Sequence, residues 1–171
     1  MSESKEAMRL GGVYTVQHVR DGKVIDEWTD HNLVVTEGLN SLLDVNFHGA
    51  SQISTWYVGL FEGNYTPAAT ATAATITALS TESTAYDETT RVEYVEAAAS
   101  AGSLTNSANK ATFTINATKT IYGAFLVSTS TKSGITGTLM SATRFSAARS
   151  VVSGDQLLIT YTFSAADSDS L

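Results

Sequence analysis

At 171 residues the chain has the length of one domain, large enough to build a continuous hydrophobic core without disulfide or metal support. Its formal net charge of −7 disfavours binding to the phosphate backbone of DNA or RNA, so nucleic acid is not an expected partner. The chain has no cysteine, which excludes disulfide frameworks, thiolate zinc sites and cysteine nucleophiles.

Threonine, alanine and serine dominate the composition, with 25, 22 and 20 copies. Such small and β-branched side chains favour strands over long surface helices. No apolar run approaches the roughly 20 residues that a membrane helix needs, and the N-terminus lacks the apolar core of a signal peptide. We therefore expect a soluble, mainly β protein that is made in a cytoplasm and has no membrane partner.

Both ends of the chain differ in character from its middle. Residues 1–12 are polar, mixed in charge and end in two glycines, which predicts a flexible N-terminal arm. The arm is either a frayed terminus or a segment that docks on a neighbouring subunit. In the second case the contact residues are predicted to be Met8, Arg9 and Leu10. Residues 165–171 form a short acidic tail.

Short extended segments follow one another through residues 13–164, the predicted folded domain. Asp21-Gly22 separates the first two segments and favours the two-residue turn of a β-hairpin. The segments WYVGLF and IYGAFLV are apolar on both faces, which is typical of central strands. The segment QLLITYTF alternates apolar and polar positions and indicates a strand with one buried face.

The stretch DHNLVVTEGLNSLLDVNF contains one short predicted helix, from about residue 37 to residue 46. Thr36 is placed to cap its amino end, and Glu37 puts negative charge at the positive end of the helix dipole. Because ten residues are marginal in isolation, packing of the apolar face must hold the helix, which we expect to cover an open edge or end of a sheet. The apolar residues at helical spacing are Leu39, Leu42, Leu43 and Phe47.

The elements together predict two packed antiparallel sheets. Eight or nine short strands, one short helix and regularly spaced turns are typical of a β-sandwich, for which the jelly roll is one form. A closed β-barrel is the alternative, since it also removes exposed strand edges. Residues 66–90 have no clear period and are predicted to be a functional loop or a disordered segment.

Residues that could carry out chemistry form no recognisable motif. His18, His31 and His48 are too far apart in sequence to form a local metal site, and nucleotide-binding, hydrolase and zinc-protease motifs are absent. The carboxylates of residues 87–96, together with Arg91, are expected on a solvated strand face. We therefore predict no cofactor, no metal and no enzymatic activity.

Isolated arginines and aromatic residues offer contact surfaces instead. Arg144 and Arg149 lie in an otherwise neutral segment and are candidate anchors at a protein interface, although single arginines usually face solvent. Trp28, Trp56 and Tyr65 belong to a group of aromatic residues that could stack on a sugar, and core packing is the preferred role for Trp56.

The order of several segments resembles small structural proteins of tailed bacteriophages. These segments are DGKVIDEW, HNLVVTEGLNSLL, WYVGLFEG, YDETTR and GDQLLITYTF, and the likeness runs from about residue 13 to residue 163. Capsid decoration (cement) proteins and tail-associated proteins carry such modules. The resemblance implies a β-sandwich on the outside of a capsid that ties neighbouring major capsid subunits together.

Three functions follow as expectations. The leading one is a decoration protein on the virion surface, self-associated as a homotrimer, with the major capsid protein as its partner. The second is a tail, tail-fibre or connector component of the same particle. The third is a carbohydrate-binding or adhesion module that uses aromatic side chains as its platform.

Overall fold

Two β-sheets pack face to face in the structure, a computed structural model that describes residues 8–167. Residues 1–7 and 168–171, parts of the predicted arm and tail, lie outside the described residues. In chain order the described elements are β1 (Met8–Arg20), β2 (Lys23–His31), β3 (Leu33–Val34), α1 (Thr36–Phe47), β4 (Trp56–Phe61), α2 (Ala73–Ser80), β5 (Glu82–Ser83), β6 (Val92–Tyr94), β7 (Ser103–Thr105), β8 (Ala111–Thr114), β9 (Lys119–Val127), β10 (Leu139–Val151) and β11 (Gln156–Asp167).

Every pairing between the described strands is antiparallel. The first sheet has the order β2-β1-β11, and both β7 and β8 pair with β11. The second sheet has the order β3-β10-β9-β4, and both β5 and β6 pair with β4. The predicted β-sandwich is confirmed, and the strands form two sheets rather than one closed barrel.

Local sequence patterns place several strands as predicted. Asp21 and Gly22 both have positive φ, 50° and 73°, and form the turn of the β1–β2 hairpin. In β11 the alternate residues Leu157, Ile159 and Tyr161 are completely buried between the sheets. This alternation matches the predicted strand with one buried face.

The second sheet is covered on both faces. Val58 of β4 belongs to the core between the sheets, whereas Phe61 of β4 and Phe125 of β9 belong to a second cluster on the outer face. Ile76 of α2 packs into this outer cluster. The cover explains why WYVGLF and IYGAFLV are apolar on both sides, and it confirms that they are central strands.

The helix α2 lies within residues 66–90, which the sequence predicted to be a loop or disordered. A capping box starts the helix, because the Thr72 hydroxyl accepts from Thr75 N and the Thr75 hydroxyl accepts from Thr72 N at 2.8 Å. Ala73 and Ile76, three residues apart, are both buried. The segment around α2 is mostly alanine and threonine. Because it has so few large apolar side chains, its sequence shows no helical period.

The predicted helix is confirmed as α1, with two differences. Its N-cap is Val35, which makes no side-chain cap bond, so the predicted capping by Thr36 is wrong. The predicted apolar face is also narrower than expected, since Leu43 is 53% and Phe47 is 83% exposed. Instead Gly38 lies against the backbone of β10, which holds the helix close to the second sheet.

Residues 8–12, predicted as part of a flexible arm, are the first residues of β1. Met8 pairs with Asp167 and Gly12 with Phe163, so the strand ladder continues to the edge of the described residues. A Cβ atom at Gly12 would lie 2.5 Å from the hydroxyl of Tyr161. This glycine lies within a strand and makes room for a core tyrosine, instead of ending a flexible arm as predicted.

Candidate functional site

The five predicted contact residues fall into two groups on different sheets. Met8, Arg9 and Leu10 lie at the beginning of β1, where Met8 is 66% exposed. Arg144 and Arg149 lie on β10 at the two sides of an irregularity in its pairing with β9. The exposed Arg144 side chain donates from Nε to Asn64 Oδ1 at 2.7 Å.

Arg149 makes its contacts within the molecule. Its guanidinium carbon lies 4.3 Å from the centroid of the Trp28 ring, and its Nε lies 3.6 Å from Asp26 Oδ2. Trp28 is 7% exposed and also makes an edge-to-face contact with Phe145 at 5.3 Å between centroids. Trp28 is therefore a core residue and offers no open ring face to a sugar.

Glu82 and Arg91 form a buried ion pair. Nε and Nη2 of Arg91 donate to Oε1 and Oε2 of Glu82 at 2.8 and 2.6 Å, and neither side chain is more than 1% exposed. The prediction of a solvated Arg91 is wrong because β6 begins only at Val92, so strand alternation does not fix the direction of the residue before it. A planar guanidinium suits this two-bond contact.

The ion pair anchors the loop between β9 and β10, residues 128–138. The guanidinium donates to the carbonyl oxygens of Thr129 and Gly134 at 3.1 and 2.9 Å, and the carboxylate accepts from Ser133 N at 2.9 Å. Next to these contacts Ile135 is 61% exposed. The loop thus holds a large apolar side chain in solvent on a backbone fixed by charged hydrogen bonds.

An apolar groove of about 660 Å³ opens between the two sheets, beside α1. Its walls are the later turns of α1 and residues 96–104, which belong to the connection from β6 to β7 and to β7 itself. Glu96 is the one charged residue that lines it among the described residues. The floor contains Trp56, Leu126 and Met140 from the second sheet and Tyr161 and Phe163 from the first.

The opposite side of α1 carries exposed apolar residues. With 3.6 residues per turn, the mean direction of Leu43 and Phe47 lies about 150° around the helix axis from the mean direction of the four helix residues that line the groove. We call Leu43 and Phe47 together the α1 ridge. The groove-lining residues of the helix are Ser41, Leu42, Val45 and Asn46. The helix therefore presents an apolar recess on one side and an apolar projection on the other.

A second ion pair lies where the β1–β2 hairpin meets the turn before β11, with Asp155 buried and Arg20 partly exposed. Asp155 accepts from Nε and Nη2 of Arg20 at 2.7 Å each, from Val152 N at 2.8 Å and contacts His18 Nε2 at 2.7 Å. The Arg20 guanidinium holds the pKa of the Asp155 carboxyl well below its usual range. No sequence pattern predicts this contact, since Asp155 is 135 residues from Arg20.

Metal ligands do not converge in residues 8–167, where no group of three or more His, Asp or Glu side chains is placed to hold an ion. Within the same residues no helix is long and apolar enough to cross a membrane. The features that could serve a function are the anchored loop, the groove and the α1 ridge. All three present apolar side chains, and exposed apolar surface of this kind is typical of protein–protein interfaces.

No protein-family model matches the chain, and no curated protein matches it. The comparisons assign no family.

Proposed function

We propose that the chain is a virion structural protein of a tailed bacteriophage, a capsid decoration protein that acts by binding and catalyses no reaction. It binds the outside of the major capsid lattice as a self-associated unit, a homotrimer, and cross-bridges neighbouring subunits without covalent bonds. The order of the segments DGKVIDEW, HNLVVTEGLNSLL, WYVGLFEG, YDETTR and GDQLLITYTF supports the proposal by resemblance.

The anchored loop is the observation that carries the proposal furthest. Ile135 is held in solvent by a loop whose backbone the buried Glu82–Arg91 pair fixes at three points. A side chain that is already fixed before binding loses little conformational entropy when it enters a pocket of a partner. A rigid apolar contact of this kind suits a protein that must hold a regular protein lattice.

Binding to capsids tests the function directly. Undecorated capsids of the phage that encodes the chain are mixed with the purified protein, sedimented and imaged by cryo-EM. We expect binding at regular positions outside the shell. Ile135→Ser should weaken binding at least tenfold, the effect of losing a contact worth more than about 1.4 kcal/mol. Leu79→Ser, at another exposed apolar position, is the matched control.

Mass spectrometry and imaging of purified virions separate the alternatives. Hundreds of copies on the shell are the expected result for a decoration protein. Tens of copies or fewer at the tail or its connector would replace this proposal with a tail component. Absence from the virion, together with no binding to capsids, would end both.

A further inference from the structure

We propose that the chain associates with itself by inserting the α1 ridge of one copy into the apolar groove of the next copy. Phe47 is the central side chain of this contact, and Leu43 packs beside it. Self-association of the chain is part of the proposed function, on which this contact rests. The two surfaces through which the copies associate are the new element.

Phe47 has the largest exposed fraction, 83%, among the large apolar side chains of residues 8–167. It is the last residue of α1, and a regular helix fixes its position. The first turn of the helix packs directly on β10, since a Cβ atom at Gly38 would lie 2.5 Å from Met140 O. The ridge is therefore presented as a rigid projection.

The groove matches this projection in chemistry. It offers the aromatic rings of Trp56 and Phe163 to an inserted phenylalanine, and aromatic pairs favour edge-to-face or offset contacts. Glu96 is the one charged residue along its described lining, so an apolar side chain can enter without burying several charges. The volume of about 660 Å³ leaves room for Leu43 as well as for Phe47.

Further copies of the same chain can cover both surfaces. The ridge and the groove lie on opposite sides of one helix, so each copy offers its ridge to one neighbour and its groove to another. Such a heterologous contact repeats from copy to copy and closes into a ring when the rotation allows. The residues outside the described part, MSESKEA and SDSL, contain no aromatic side chain to fill the groove from within the chain.

Sedimentation velocity of the full chain over a range of concentrations tests the contact. The wild type should form a closed ring of a few copies, with three as the number that fits the proposed function. Phe47→Ser removes the projection, and Ala99→Arg places a long charged side chain at an exposed position that lines the groove. Each variant alone should weaken association about 30-fold or more, as loss of a central aromatic anchor does.

Mixing the two variants gives a sharper result. The Phe47→Ser variant keeps an open groove, and the Ala99→Arg variant keeps its ridge. A mixture should therefore form heterodimers with one copy of each variant, and these cannot add further copies. Leu79→Ser, on α2, should assemble like the wild type. Raising the salt concentration should tighten association, because Asp44, one turn before Phe47, and Glu96 carry the same charge.

Several results would overturn the contact. A wild type that stays a single chain far above micromolar concentration, variants that assemble as well as the wild type, or a mixture that forms no pair would each do so. Thermal melts of both variants show that they are folded. Rings that do not bind capsids would refute the decoration function alone. Single chains that bind capsids would refute the α1 contact and the proposed self-association, but not the decoration function.

Discussion

Replacing Arg91 with methionine probes the buried ion pair most directly. Methionine fills part of the same space but carries no charge and no donor. The Glu82 carboxylate, with its side chain 1% exposed, then lies in the interior without a cation. The carbonyl oxygens of Thr129 and Gly134 each lose a donor as well. Removing one partner of a buried pair lowers the free energy of unfolding by about 3–5 kcal/mol.

We therefore expect Arg91→Met to lower the free energy of unfolding of this protein by about 3–5 kcal/mol at pH 7. Urea unfolding at pH 7 measures this loss. The double variant Glu82→Gln, Arg91→Met removes both charges and should recover most of the loss. Arg144→Met is the control for an arginine at an exposed position and should change stability by no more than about 0.5 kcal/mol. A loss below about 1 kcal/mol for Arg91→Met would refute the reasoning.

Three further predictions concern other buried positions. The pKa of Asp155 is lowered by Arg20, so the ionised carboxylate stabilises the fold above about pH 4, and this contribution is lost as the pH falls further. Asp155→Asn should therefore lower the free energy of unfolding by about 1.5–3 kcal/mol at pH 7 in urea, and the difference from wild type should shrink between about pH 4 and pH 2. Gly38→Ala should lower it by about 1–3 kcal/mol because its Cβ would lie 2.5 Å from Met140 O, whereas Gly11→Ala, with nothing within 4 Å, should be nearly neutral in thermal melts. Burial raises the pKa of several tyrosines, that of Tyr161 to about 12. An ultraviolet titration should therefore find four of the seven tyrosines still protonated at about pH 11 while the protein is folded. Ionisation of all seven together in the folded state would contradict the burial of these four. The four are Tyr14, Tyr86, Tyr94 and Tyr161.

The sheets could be predicted from the sequence because their signals are local. The β1–β2 turn depends on two adjacent residues with positive φ, Asp21 and Gly22. Alternation along β11 depends on residues two apart, which a strand places on one face. Such patterns need no knowledge of what lies on the other side of the core.

The ion pairs and the groove could not be predicted, because they depend on which distant segments meet. Asp155 and Arg20 are 135 residues apart, and the groove lies between α1 and residues 96–104. The periodicity of α1 correctly predicted a helix, of which Leu39 and Leu42 pack against the core. It could not show that contact is limited to one side, which leaves Phe47 in solvent.

Each ion pair joins a strand residue, Glu82 of β5 or Arg20 of β1, to a residue outside the strands, Arg91 or Asp155. Within the sheets, backbone ladders and apolar side chains define the positions of the strands. Residues 128–138, by contrast, are mostly Ser, Thr and Gly and bury little apolar area, so directional bonds from Arg91 must define their path. Neutralising both Glu82 and Arg91 should therefore separate two properties: the free energy of unfolding returns toward that of the wild type, while Ile135 loses its fixed position. If the loop makes the partner contact, this double variant should fold well and still bind capsids more weakly than the wild type does.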